Sequence, residues 1–168
     1  MRLLWLTVFG LVCFLDAVAQ PRYYAALTQG NFSPKTLRPR ISALSDGRTL
    51  MAVPEVSRKK IVYLWWNDCG EVLQRREIAV DTLVRLIDLL TDASGAAILA
   101  VQTRPTELVL ICLHPDGTPV WAKRYRANEP TTWLSLSFDG ANNLIIGGHL
   151  EGQRQSHLLK VDPQGNTV

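Results

Sequence analysis

Three histidines and a scatter of carboxylates are the residues of this chain that could do chemistry. His149 and His157, with Glu151 between them, have donor types that suit a transition-metal ion. They come from one predicted hairpin, and two ligands from one hairpin do not complete a four-ligand site. They therefore read as polar residues at strand ends, and no metal is expected. His114 opens a turn whose counterparts open with Asn67 and Asp162, so a local hydrogen-bonding role suffices for it. Asp46, Asp116, Asp139 and Asp162 all stand in turns beside Gly or Pro, where turn chemistry accounts for them. There is no Gly-x-Ser-x-Gly, His-Glu-x-x-His, P-loop or Cys-x-x-Cys. Neither a catalytic residue nor a cofactor is expected. Trp65-Trp66 is the most unusual local pair. At strand spacing the two rings point to opposite faces, so one is expected to pack and the other to reach the surface, where it would suit a glycan or peptide.

The elements that hold these residues recur. Asn67-Asp68-Cys69-Gly70, His114-Pro115-Asp116-Gly117 and Asp162-Pro163-Gln164-Gly165 are versions of one turn, and their glycines are spaced by 47 and then 48 residues. A fixed period in that range marks a solenoid or a propeller. The first turn residue is expected to accept a bond from the turn's own backbone, proline presets φ at the second, and Gly supplies the left-handed conformation at the fourth. Gly70, Gly117 and Gly165, with Asp46, Asp139 and Asp162, are thus the structural signature. Trp121, just after the second turn, is predicted to be a buried wedge between neighbouring units.

Four strand signals fill each period. Strands are expected near 41–45, 49–53, 61–66, 72–78, 83–90, 97–102, 107–113, 119–125, 133–138, 143–149 and 157–161, after an outer strand near Tyr23–Leu27. Residues 82–90 alone could compete as a helix, and the repeat alignment decides for strand. Leu108–Leu113 and Leu144–Gly148 do not alternate, which predicts burial on both faces. Gly147-Gly148 is read as a close approach to a neighbouring unit. The fold class is therefore all-β: a partial β-propeller of about three four-stranded antiparallel blades. Its parts are a signal at 1–19, an N-terminal segment at 20–40, and blades at 41–82, 83–130 and 131–168, the last incomplete.

The run Leu108–Tyr125 resembles the repeat of secreted bacterial β-propellers, in which a leucine-rich strand leads into Asp-x-x-Gly-x-x-x-Trp and then Lys-x-Tyr. Asp139–Gly148 is similar to the next strand pair of that repeat. A looser similarity runs to pyrroloquinoline-quinone-type blades. The resemblance implies an exported, non-catalytic binding or scaffold module of the cell envelope, with an unidentified protein or glycan as ligand. The alternative it implies is a quinoprotein-like enzyme.

The ends and the charge bear on setting. Arg2, the apolar run Leu3–Leu15 and Ala17-Val18-Ala19 read as a secretory signal cleaved after Ala19. No later segment is expected to span a bilayer. Export would permit a disulfide between Cys69 and Cys112, but a small turn residue and a buried strand thiol is the preferred reading of the two. The formal charge of +3 is mild and the basic residues are scattered, so nucleic acid is not an expected partner. Because three blades do not close a ring, the chain is expected to be a fragment or truncated relative of a longer propeller, the alternative being a homodimer that completes a ring.

Overall fold

The structure is a computed structural model that describes residues 38–153 and 155–168. Among these described residues there are eleven strands: β1 (Arg40–Ala43), β2 (Thr49–Glu55), β3 (Lys60–Trp66), β4 (Val72–Ala79), β5 (Arg85–Thr91), β6 (Ala97–Arg104), β7 (Glu107–Leu113), β8 (Pro119–Arg126), β9 (Thr131–Phe138), β10 (Leu144–Leu150) and β11 (Ser156–Val161). Each predicted strand within these residues is present. The expected signal, its cleavage site and the outer strand at Tyr23–Leu27 lie outside them. The only helical element among the described residues is a 3-10 turn at Val56–Arg58, and no described helix is long and apolar enough to cross a membrane.

The strands form three antiparallel meanders, β1-β2-β3-β4, β5-β6-β7-β8 and β9-β10-β11, with neighbours in sequence paired in space. Loops between paired strands are short enough for the turn chemistry to set their register. In the β3–β4, β7–β8 and post-β11 turns the fourth-position amide donates to the first residue's carbonyl, at 3.1, 2.7 and 2.9 Å. Gly70, Gly117 and Gly165 hold φ of 77°, 80° and 82° there, a conformation that costs little only without a Cβ. In the β9–β10 turn that place is taken by Asn142, at φ 60°, and not by Gly140.

The core lies between the sheets. Leu50, Tyr63 and Trp65 of the first sheet pack with Leu89, Leu99 and Leu113 of the second. The second sheet's other face, with Ile98, Leu108 and Leu110, packs with Trp133, Leu144 and Val161 of the third. A separate cluster, Met51, Val53, Val62, Leu64 and Trp66, occupies the other face of the first sheet. β6 and β7 are therefore buried on both faces, as their unbroken apolar runs imply. β10 corrects the same expectation, because its burial alternates. One face of the third sheet lies open, with Leu134 and Leu158 at 54% and 71% exposure. Gly148 is also corrected: a Cβ there would meet the Thr132 carbonyl at 2.9 Å, so the close approach is to β9 of its own sheet, beside a bulge at Gly147/Gly148.

The first strands of the three sheets sit side by side, β1 against β5 and β5 against β9. Hydrogen bonds stitch them, three of them across a sequence separation of 48 and one, between the Ser42 and Thr91 hydroxyls, across 49. Thr91 Oγ1 donates to the Ala43 carbonyl at 3.0 Å, Arg85 Nη2 donates to the Trp133 carbonyl, and the Leu136 amide donates to Asp88 Oδ2 at 3.0 Å. The Arg85 and Leu136 bonds satisfy polar groups that the stacking of sheets partly strips of water.

Candidate functional site

The starting ends of β1, β5 and β9 enclose a cavity of about 420 Å³. Its polar rim is three arginines, Arg38, Arg40 and Arg85, and its apolar wall is Pro54, Val84, Leu86, Ile87, Trp133 and Leu134. The fold brings these together from three sheets. Arg40 is the first residue of β1 and pairs with Ala52, while Arg85 is the first of β5 and pairs with Gln102. Arg85 is held in place from two sides. Its Nε donates to Gln102 Oε1 at 2.9 Å and its Nη2 to the Trp133 carbonyl, while Gln102 Nε2 reaches the Thr131 carbonyl at 3.0 Å.

The electrostatics are one-sided. Burial, and then the like charges of Arg38 and Arg40, push the Arg85 guanidinium below its usual range, and Glu151 acts weakly the other way. Arg40 Nε and Trp133 Nε1 are buried donors with no hydrogen-bond partner. A buried N–H without an acceptor costs about 1–3 kcal/mol. Among the described residues no carboxylate ion-pairs with these three arginines, nor with Arg76 or Arg104, whereas Arg48, Arg58, Arg75, Arg124 and Arg126 each have at least one.

The residues singled out from sequence fall elsewhere. His157 stands opposite Gly148, and His149 opposite Ser156. That one-residue offset sends the two imidazoles to opposite faces. His157 packs on the Trp133 ring at 5.1 Å with its Nδ1 3.5 Å from Thr131 Oγ1, and Glu151 accepts from Thr132 Oγ1 at 3.2 Å. The structure does not bring these three together, and no metal-capable cluster occurs among the described residues. Trp65 and Trp66 point to opposite faces as expected, but both are 1% exposed. Neither reaches the surface, because Trp66 belongs to the cluster on the other face of the first sheet. Cys69 is exposed, Cys112 is buried, and they are unpaired.

The acidic turn residues do what their turns require. Asp162 Oδ1 accepts from the amides of Gln164 and Asn166 at 2.9 and 2.7 Å, and Asp139 Oδ1 from those of Ala141 and Asn143 at 2.8 and 2.9 Å. Asp46 Oδ1 accepts from the Arg48 amide at 3.0 Å. All three carboxyls are held below the usual range, Asp46 first by the Arg48 side chain, Asp139 first by the Asn143 side chain and then Lys160, and Asp162 first by the Asn166 backbone amide. His114 is the exception. Its turn is closed by Asp116, which takes the Thr118 amide at 2.8 Å.

The arginine pocket was missed in the sequence, where the basic residues read as scattered. An arginine at the opening of the first strand in two successive units, Arg40 and Arg85, was the available signal.

No protein-family model and no curated protein matches the chain. Among solved structures it is similar to a variant of the apocarotenoid oxygenase of Synechocystis, with a TM-score of 0.49 and 13% identity over 77% of this chain and 36% of that one. The chain thus spans about a third of that protein's length.

Proposed function

We propose that this chain is an exported β-propeller-type module that binds ligand without catalysing its turnover, and that its three sheets are blades arranged about their first strands. The observation that carries the reading is the pocket where β1, β5 and β9 meet. Its volume falls in the range of small-molecule sites, although its lining is dominated by the three arginines and is more polar than such sites usually are. The 48-residue separation of three bonds between first strands supports an arrangement in which each blade repeats the last. The apolar start Leu3–Leu15 and Ala17-Val18-Ala19 support export.

Two measurements test this. Fractionation of cells expressing the full chain should place the processed protein outside the cytoplasm, and unprocessed protein in the cytoplasm would overturn export. A thermal-shift screen of the purified protein against glycans, peptides and small metabolites should find a ligand that raises Tm without being consumed. Dye reduction that depends on added quinone and calcium would replace the binding reading with the quinoprotein one.

A further inference from the structure

We infer that the pocket framed by Arg38, Arg40 and Arg85 takes an organic oxyanion: an apolar body ending in a carboxylate or a phosphate group. The inference rests on the binding reading above and names its ligand class.

Three features of the site converge on this chemistry. The first is charge without a described counter-charge. Three arginines line one cavity, and Glu151, the acidic group that acts on Arg85, ranks behind Arg38 and Arg40 in its effect there. Like charges in a concave, partly apolar site raise the local concentration of anions. The second is preorganisation. Gln102 Oε1 and the Trp133 carbonyl take Arg85 Nε and one N–H of Nη2. A guanidinium carries five N–H donors, so Arg85 is held rigid with its Nη1 pair still to place. Arg40 Nε is a buried donor with no acceptor, and an oxyanion supplies that acceptor. Arginine is the side chain whose planar fork matches carboxylate and phosphate oxygens two at a time. The third is the apolar wall. Val84 and Leu134 stay half exposed at the pocket, backed by the buried Leu86, Ile87 and Trp133, and they offer surface that a bare inorganic ion would leave wet. A ligand with a flat or branched hydrocarbon body covers it.

The same geometry supplies the test. Trp133 lines the pocket, so the intrinsic tryptophan fluorescence of the intact protein reports occupancy, with titration calorimetry as the independent measure. The probes are naphthalene carboxylate, naphthyl phosphate, inorganic phosphate and the uncharged naphthamide. The carboxylate or the phosphate ester should bind at least about tenfold more tightly than both naphthamide and inorganic phosphate, and the tighter of the two identifies the head group. Arg40→Gln and Arg38→Gln should each weaken that binding about tenfold or more. Arg58→Gln, outside the pocket, should leave it unchanged. Melting curves of the variants check folding, and Arg38, at the exposed edge, keeps the test open if Arg40→Gln does not fold. Equal affinity for naphthamide and naphthalene carboxylate would overturn the inference while leaving a binding module. So would unchanged affinity in both arginine variants, or binding of neither organic anion. Quinone-dependent turnover would instead overturn the non-catalytic reading and leave anion binding untouched.

Discussion

The two joints between sheets solve one problem in different ways. At each joint a sheet must grip the turn that follows the third strand of the next sheet. In the first joint the grip comes from β3. Trp65 packs on Gly117, and Tyr63 Oη donates to the Gly117 carbonyl at 2.9 Å. In the second it comes from β8. Trp121 packs on Gly165, with its Nε1 on the Pro163 carbonyl at 3.2 Å, and Tyr125 Oη donates to the Gly165 carbonyl at 2.7 Å. The register explains the exchange. Trp65 pairs across the sheet with Gln74, and Cys112 pairs with Trp121. One cross-strand pair thus carries a large ring and a smaller partner in both sheets, with the ring moved from one strand to its neighbour. Gln74 keeps part of the role, since its Nε2 donates to the Asp116 carbonyl at 3.1 Å. What selection of side chains must satisfy here is the volume and donors of the pair. The strand that supplies them is free to change.

The joints differ in depth, and the largest predicted effects follow from that. Trp65 is fully buried, so Trp65→Ala should cost about 3–5 kcal/mol. Gly117→Ala should cost about 3 kcal/mol. It would place a Cβ 3.0 Å from both Cζ2 and Cζ3 of Trp65, and closer still to Cη2, at a φ of 80°. Chemical denaturation measures both, and a loss under about 1 kcal/mol for either would show that the first joint is not the tight one.

The second joint should lose less. Trp121 is only half buried, which corrects the deep wedge expected from its motif, and Trp121→Ala should cost about 1–2 kcal/mol. A Cβ on Gly165 meets Lys123 Cδ at 2.8 Å, but that is a flexible chain able to move, and Trp121 Cε3 stands at 3.3 Å. Gly165→Ala should therefore cost about 1–2 kcal/mol, mostly for its φ of 82°. The comparison is sharpened by a swap. Trp65→Cys combined with Gln74→Trp recreates the second joint's pair inside the first sheet. It should recover about 1–2 kcal/mol of what Trp65→Cys alone loses. No recovery would mean that the two pairs are not equivalent.

Much of the strand plan was legible, because short apolar runs between turns of fixed chemistry leave few alternatives. The register behind the joints was not. Reading forward from each turn glycine finds Trp121 in one unit and Gln74 in the other, and makes the first look degenerate. Only the pairing of β3 with β4 shows that Trp65 fills the same place. Trp65 and Trp66 misled for a related reason. Period two correctly puts them on opposite faces, but whether a face is covered is decided by distant residues. The arginine pocket was least legible of all, since Arg40, Arg85 and Leu134 meet only once separate sheets have stacked.

The smallest contrast lies in the two tyrosine hydroxyls. Each grips a glycine carbonyl and must keep its proton to donate. Burial, and then Asp162, push the Tyr125 phenol up to about 12. Burial also raises Tyr63, although Arg76 opposes the shift. A phenol whose pKa is higher folded than unfolded contributes stability that is whole below the unfolded value, near 10. That contribution is lost as pH rises through the folded value, because unfolding releases a group that then ionises. Alkaline unfolding should therefore draw on Tyr125 between pH 10 and about 12. Tyr125→Phe should cost only about 1 kcal/mol at neutral pH, the net value of one hydrogen bond, and should flatten the fall in stability across that window. Tyr63→Phe should cost somewhat more, since it leaves the Gly117 carbonyl unpaired in the buried joint. Tyrosinate absorbance followed against pH separates the cases. If Tyr125→Phe removes absorbance that develops near pH 10, and not near 12, its hydroxyl is in water and the second joint holds by its tryptophan alone.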